Sequence, residues 1–465
     1  MPIKKLQFNG QLFPFQENVL DWSRSVDRGI LGLEMGLGKT VITLAMICKK
    51  NYRRTVIVLP LQIIEQWKNS LLKFTNLKKR DIVVYQGPKR QSLDLMRYRI
   101  VITTYDVIRR DMPNEESVLY DAQDVFDCII LDEAHKLRNK KTQTYHTCAD
   151  LASNIEAKWL LTGTTIHNKF KDYLTLCEFL KVPGTSMSTF TDTAKAAAWK
   201  DHYYYRLTKT QSGLDLPEKT VTEHFLKFDE THAEDYQTLL EETKELYDDY
   251  MAHPLQIQFN ILIVKILRLR QCCNHMDAHL DDAHYRLAKN RHDEESSAKF
   301  NKILEIIKNS PKYDKILIFS QWSHSLSLLA KQLEQNWIDY LMYDGSMEIG
   351  EKNQVLEDFR EGDQKVLMLT LTSGGVGLDM SCANHVILLD SWWNPALEEQ
   401  AIDRVYRIGQ EKKVAVHRLY MTDTIEQWMI EMKKEKQKVD HQFHTDNLVY
   451  VIDQMFLKKM LHKYV

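Results

Sequence analysis

Several short strings in this chain combine glycine, a base, hydroxyls and acids in patterns suited to phosphate chemistry. Glu34-Met-Gly-Leu-Gly-Lys-Thr40 follows an apolar run and opens a helical pattern. Gly36, Leu37 and Gly38 form a loop whose backbone N–H groups can approach phosphate oxygens closely, and a helix N-terminus adds a favourable dipole. Lys39 is placed to reach β- and γ-phosphates, and the Thr40 hydroxyl to ligate Mg²⁺. The strict phosphate-loop pattern wants glycine where Leu33 stands, so a glycine-rich turn is the competing reading of this string alone.

Asp132-Glu-Ala-His135 ends an apolar strand-like run. An acidic pair at such a strand end can hold Mg²⁺ through Asp132 and orient or deprotonate water through Glu133. A solvated turn is the alternative, and the upstream glycine loop argues against it. Leu161-Thr-Gly-Thr-Thr-Ile-His-Asn168 follows the next strand, with hydroxyls able to sense a γ-phosphate. Gln16 precedes the glycine loop by a short helix, and its amide can pair with the edge of adenine. Gln400-Ala-Ile-Asp-Arg-Val-Tyr-Arg-Ile-Gly-Gln410 puts Arg404 and Arg407 three apart, the spacing of one helix face. Such arginines can stabilise charge in phosphoryl transfer, or simply ion-pair on a surface helix.

These residues need a scaffold that gathers strand ends. Short apolar runs at 55–59, 82–85, 100–104, 128–131 and 158–161 alternate with helical stretches such as 40–50 and 61–74. This pattern predicts buried parallel strands covered by helices. Residues 229–308 read as helices, interrupted at Pro254. Alternation resumes at 315–319, 338–343, 366–369, 385–389 and 414–419. The expected fold is α/β: two parallel-sheet lobes with a helical insertion between them. Expected boundaries are 1–228, an insertion at 229–297, a second lobe at 298–439 and a helical tail at 440–465.

The 465 residues suit two or three domains. A net charge of −2 excludes a bulk polycation but leaves room for a local basic groove. Seven cysteines without a CxxC pair argue for a reducing compartment. Adjacent Cys272 and Cys273, with His275 and His279, make a poor tetrahedral zinc site and read better as a buried helix end. There is neither a secretory leader nor an apolar run long enough for a membrane span. Trp392-Trp393 admits base stacking or, following a strand, packing of a turn under the nucleotide cleft, and packing is favoured.

Taken in order, Gln16, Met35–Thr40, Asp132–His135, Leu161-Thr-Gly-Thr164, Leu267-Arg-Leu-Arg-Gln-Cys-Cys-Asn-His275, Ile318-Phe-Ser-Gln321, Gly374-Gly-Val-Gly-Leu378, Trp392-Trp-Asn-Pro395 and Asp403–Gln410 resemble the SWI/SNF-type ATPases of helicase superfamily two. The resemblance, rather than the alternation of strands and helices, implies that the two lobes are RecA-like. It implies ATP and Mg²⁺ as cofactors, with Lys39, Thr40, Asp132 and Glu133 on the ATP and metal positions and Gln16 on the adenine contact. It implies arginine fingers at Arg404 and Arg407. It implies contacts to nucleic acid from segments holding Pro60, Thr104, Ser320, Gln321, Gly345, Ser346, Ser373 and Gly374. Departures from the family pattern are Leu33 for an acid, Thr165 for proline, Leu207 for an arginine and Asp379 for asparagine.

The expected activity is ATP-dependent translocation on double-stranded DNA with little sequence preference, remodelling protein–DNA complexes in transcription. In that cycle the arginine-bearing lobe closes over ATP and reopens after hydrolysis. Expected partners are duplex DNA and DNA-bound transcription or chromatin proteins, with no membrane and a monomer by default. Nuclear location follows only from that substrate. A strand-separating helicase and a scaffold without turnover are the competing readings, and intact Lys39, Glu133 and Arg407 oppose the scaffold.

Overall fold

In a computed structural model, residues 5–163, 170–181, 202–253, 259–279, 297–371, 378–392 and 395–430 are described. The chain divides into two compact units, with the change between Asp215 and Leu216.

The first unit is built on seven described strands: β1 (Arg28–Leu33), β2 (Thr55–Leu59), β3 (Ile82–Val84), β4 (Ile100–Thr104), β5 (Cys128–Leu131), β6 (Ala157–Leu161) and β7 (Tyr204–Leu207). They lie in the order β3-β4-β2-β5-β6-β1-β7, and every pairing is parallel. Parallel neighbours need crossover connections, here mostly helical, which cover the sheet and exclude water. That is why β2, β4, β5 and β6 are buried along their whole length. Side chains of this kind each contribute about 1.5–3 kcal/mol on burial.

The second unit holds β8 (Lys219–Leu226), β9 (Ile316–Ser320), β10 (Tyr340–Tyr343), β11 (Val366–Thr370), β12 (His385–Leu388) and β13 (Val414–Met421). Their order is β10-β11-β9-β12-β13-β8, again parallel. The two parallel α/β sheets bear out the expected fold class. A boundary at 228, however, assigns β8 to the first sheet, whereas β8 pairs with β13 from Lys219↔Val414 to Leu226↔Met421. This strand lacks a buried apolar run and is exposed over most of its length, so it has no sequence signal for membership of either sheet.

The helices Glu230–Ala252 and Phe259–Cys272 form the insertion. Asp229 caps the first, accepting from the His232 N–H at 2.8 Å. Tyr236, Leu240, Leu262, Ile266 and Leu269 pack with Met421, Ile425, Trp428 and Met429. The insertion is thereby fastened to the end of β13 within the second unit. Pro254 and the tail at 440–465 lie outside the described residues.

Three histidines cross this sheet side by side. His224 Nε2 of β8 lies 3.1 Å from His417 Nδ1 of β13, and the His417 ring stacks on His385 of β12 at 5.8 Å. His385 Nε2 in turn lies 3.1 Å from Asp314 Oδ2. Burial, then His224, His385 and Lys302, push His417 from the ordinary 6.5 down to about 4. A lowered folded value means that the unfolded chain takes up this proton first as pH falls. Stability contributed by neutral His417 is therefore complete above pH 6.5 and is lost as pH falls towards 4. We expect the urea midpoint of the second unit to drop between those limits and His417→Phe to flatten that slope. An identical slope in the variant refutes the assignment.

Candidate active site

The strand order brings three loops to one sheet edge. Leu31 of β1 pairs with Leu161 of β6, and Leu160 of β6 pairs with Leu131 of β5. Since the three strands run the same way, residues 34–38, 132–133 and 162–163 all leave from that edge, where α/β folds bind ligands.

Gly36 and Gly38 carry φ of 83° and 78°, a region that side-chain-bearing residues rarely adopt. Gly38 caps the helix Lys39–Lys50 in this conformation, so the loop turns directly into the helix N-terminus. Lys39 Nζ donates to the Leu33 carbonyl at 2.9 Å. Thr40 is half-buried in the first helical turn. Gln16 is buried, donates from Nε2 to the Leu37 carbonyl at 3.1 Å and accepts the Phe13 N–H at 3.0 Å. Its amide therefore holds the loop backbone. A Cβ on Gly163 would stand 2.5 Å from Met35 Cγ and 2.9 Å from Lys39 Nζ, so a side chain there would have to displace Met35 and Lys39 from the loop. Residues 164–168 of that string lie outside the described residues.

Asp132 is 7% exposed and directly follows β5. One carboxylate oxygen accepts the Trp67 indole N–H at 2.8 Å, and the other accepts the Glu133 backbone N–H at 2.9 Å. The Tyr105 hydroxyl donates to the Asp132 carbonyl at 2.6 Å. Burial and then the Glu133 charge raise the Asp132 pKa, while Lys39 and the Trp67 bond lower it. Asp132 and Lys39 therefore share one electrostatic site. Glu133 holds φ 53°, ψ 47°, the left-handed region, which costs a non-glycine residue about 1–3 kcal/mol. His135 Nδ1 lies 3.2 Å from Glu133 Oε2.

This donor set fits a nucleotide and its divalent cation. The loop presents backbone N–H groups, a lysine and a helix N-terminus to phosphate, while a buried carboxylate and the Thr40 hydroxyl offer the hard oxygen ligands that Mg²⁺ prefers. Spacing gave no signal for Trp67 or Tyr105, since an aromatic in an apolar stripe reads as core.

In the second unit another buried carboxylate, Asp390, follows β12. It accepts from the Ser320 hydroxyl, from the Gln321 N–H at 3.1 Å and from Asn274 Nδ2 at 3.2 Å. Lys299, fully buried, donates to Asn274 Oδ1 at 3.0 Å and to Glu426 Oε1 at 2.7 Å. Arg270 donates to the Ser391 carbonyl at 2.7 Å and stands 5.0 Å from the Trp322 ring and 5.8 Å from the Trp392 ring. Trp392 thus packs against a buried arginine; Trp393 lies outside the described residues. Cys272 and Cys273 are buried in the same helix end, and His275 stacks on Phe300 at 5.4 Å.

The residues expected to touch nucleic acid divide by exposure. Ser320 and Thr104 are buried; the Thr104 hydroxyl caps a helix by accepting the Val107 N–H at 3.3 Å. Pro60 is buried, whereas Gly345 and Ser346 are exposed. Gln321 is partly exposed and donates to the Ser391 carbonyl at 2.9 Å. Ser373 and Gly374 lie outside the described residues.

Arg404 and Arg407 do not share a helix face. The helix Pro395–Ile402 ends before them; Arg404 lies in a turn and Arg407 in a bend. Gln410 is the reason: its buried amide donates to the Ala383, Ser381 and Val405 carbonyls at 2.7, 3.2 and 3.2 Å and accepts the Lys412 N–H at 2.9 Å. Those tertiary bonds compete with helical ones, and Gly409 at φ 96° completes the turn. Arg407 Nε lies 3.8 Å from Asp379 Oδ1.

Residues 15–278 match the SNF2-related domain, and residues 298–409 match the helicase conserved C-terminal domain. The chain belongs to the SNF2-related family. It is a helicase-like ATPase of that family. It is 27% identical to a probable global transactivator of Orgyia pseudotsugata multicapsid polyhedrosis virus, over 90% of this chain and 88% of the relative. It is 28% identical to a putative ATP-dependent helicase/translocase of Bacillus subtilis over 94% of this chain, and spans 49% of that relative. Against transcription termination factor 2 of Drosophila melanogaster it is 25% identical over 90% of this chain and spans 51% of that relative. Among solved structures, it aligns with the Sulfolobus solfataricus SWI2/SNF2 ATPase core in complex with dsDNA at 25% identity and a TM-score of 0.43, covering 99% of each chain.

Two departures from the SNF2 pattern prove to be neighbours. Leu33 and Leu207 are register partners across β1 and β7. Where the pattern carries an acid and an arginine, this chain carries two leucines on facing positions. Exchanging an opposite-charge pair for an apolar pair is often neutral or stabilising, whereas changing one member alone buries an uncompensated charge. The loop keeps its link to this edge through Glu34, whose carboxylate accepts the Lys209 N–H at 2.7 Å. We expect Leu33→Asp to lower the melting temperature of the first unit and Leu33→Asp with Leu207→Arg to recover most of the loss. Equal losses in the single and double variants refute the pairing.

Proposed function

We propose that this SNF2-family ATPase translocates on double-stranded DNA and remodels protein–DNA complexes in transcription, in the nucleus of its cell or host. The observation that supports ATP turnover is the gathering of the glycine loop, Lys39, the buried Asp132 and the half-buried Glu133 on one strand-end edge. The duplex as track rests on the family and on the resemblance of the Trp392 and Asp403–Gln410 strings.

In the proposed cycle, backbone N–H groups around Gly36, Leu37 and Gly38 cradle the phosphates while Lys39 exchanges the Leu33 carbonyl for a phosphate oxygen. Thr40 and Asp132 would hold Mg²⁺, which when bound neutralises phosphate charge during transfer. Glu133 orients and deprotonates the attacking water. Arg404 and Arg407 are assigned to the charge that develops in transfer. Gln16 fixes the loop and, in this reading, also meets adenine. Exposed Gly345 and Ser346, together with Pro60, Thr104, Ser320, Gln321, Ser373 and Gly374, are assigned to the phosphate track. Buried Ser320 and Thr104 serve that track by shaping the loops. Such contacts favour any sequence about equally and weaken with salt.

The test is steady-state ATP hydrolysis without nucleic acid and with duplex DNA, single-stranded DNA or RNA, beside Lys39→Ala. We expect duplex DNA to stimulate turnover several-fold, Lys39→Ala to abolish it, and a triplex-forming strand to be displaced without separation of the duplex. Stimulation chiefly by single strands, or efficient release of a paired strand, selects the helicase reading. DNA binding without turnover selects the scaffold.

A further inference from the structure

We propose that Trp67 is a positioning residue for the divalent cation that accompanies ATP, acting through Asp132; this rests on the ATPase reading above. The indole N–H bonds one carboxylate oxygen at 2.8 Å, and the Glu133 N–H bonds the other at 2.9 Å. With a donor on each oxygen, the carboxylate plane cannot rotate, yet each oxygen keeps a further lone pair for a ligand. Trp67 is itself 1% exposed on the helix Ile64–Phe74, so its ring is locked by packing. Tyr105 completes the frame, its hydroxyl holding the Asp132 carbonyl at 2.6 Å. Together these bonds clamp both sides of the Asp132–Glu133 peptide just where Glu133 is forced to φ 53°.

The chemistry of the donor matters. An arginine or lysine in this place would neutralise Asp132 and compete with a cation. An indole N–H aims the carboxylate while leaving its full charge to the metal. Partners of this kind orient metal ligands, and their loss weakens metal affinity about 10- to 100-fold.

The experiment uses the full chain with Mn²⁺ as probe, its binding followed by electron paramagnetic resonance in the presence of ADP. The proteins compared are wild type, Trp67→Phe and Tyr105→Phe, with thermal unfolding and metal-free ADP affinity measured in parallel. We expect Trp67→Phe to bind ADP like wild type and Mn²⁺ about tenfold or more weakly. The Mg²⁺ concentration for half-maximal ATP hydrolysis then rises in step, while kcat at saturating Mg²⁺ changes little. Tyr105→Phe shifts Mn²⁺ binding in the same direction by a smaller factor. A Trp67→Phe protein that melts earlier but binds Mn²⁺ like wild type overturns the proposal and leaves the ATPase reading standing. Should Trp67→Phe fail to fold, Tyr105→Phe decides: unchanged Mn²⁺ binding overturns the proposal. Wild-type protein that binds no Mn²⁺ with ADP overturns the ATPase reading itself, and this inference with it.

Discussion

A carboxylate closed off from water needs donors, and that requirement organises the first unit. Asp132 sits at the end of a strand whose residues are all buried. Left alone there, its charge would be too costly to keep. Trp67 and the Glu133 N–H answer it, which fixes the helix Ile64–Phe74 against the strand end and forces Glu133 into the left-handed region. Lys39 supplies the opposite charge from the neighbouring loop. The arrangement holds a negative group in low dielectric close to the glycine loop, where a cation would act with most effect. Backbone strain at Glu133 is the local cost, and the surrounding bonds sustain it.

The second unit solves the same problem at the end of β12. Burial raises the Asp390 pKa, and Ser320, Lys299, Arg270 and the Gln321 N–H offset only part of that rise. The Lys299–Glu426 pair, at 0% and 2% side-chain exposure, ties this site to the chain beyond β13. Buried pairs of this kind contribute little net stability, but removing one member costs about 3–5 kcal/mol. The network therefore specifies geometry. It joins strings far apart in the chain, the Gln-Cys-Cys-Asn-His helix end, the Ser320-Gln321 loop and the Trp392 turn, into one structural piece. Residues in those strings that suggest direct contact with a ligand, Ser320 above all, have the prior task of holding a loop.

Leu33 and Leu207 carry a related lesson about departures from a family pattern. Read singly, each looks like damage to the nucleotide loop. As register partners on β1 and β7 they are one exchange, an apolar pair of positions in place of a charged one. Glu34 still anchors the loop to the Lys209 N–H.

The sequence by itself determined the class of fold, because strands buried on both faces must be continuously apolar and their crossovers must be helical. It also carried the proposal of a nucleotide loop and an acidic pair, because phosphate and metal binding demand particular residue types at short, local spacing. Tertiary structure alone decided what holds those residues. Trp67 and Tyr105 are 65 and 27 positions from Asp132, and no local pattern relates an aromatic in one helix to a carboxylate on another strand. It decided that β8 joins the second sheet, since an exposed strand has no hydrophobic signature of its own. It decided, finally, that Arg404 and Arg407 leave the helix: the spacing permits a shared face, but the buried Gln410 amide takes up carbonyls from two segments and turns the backbone away.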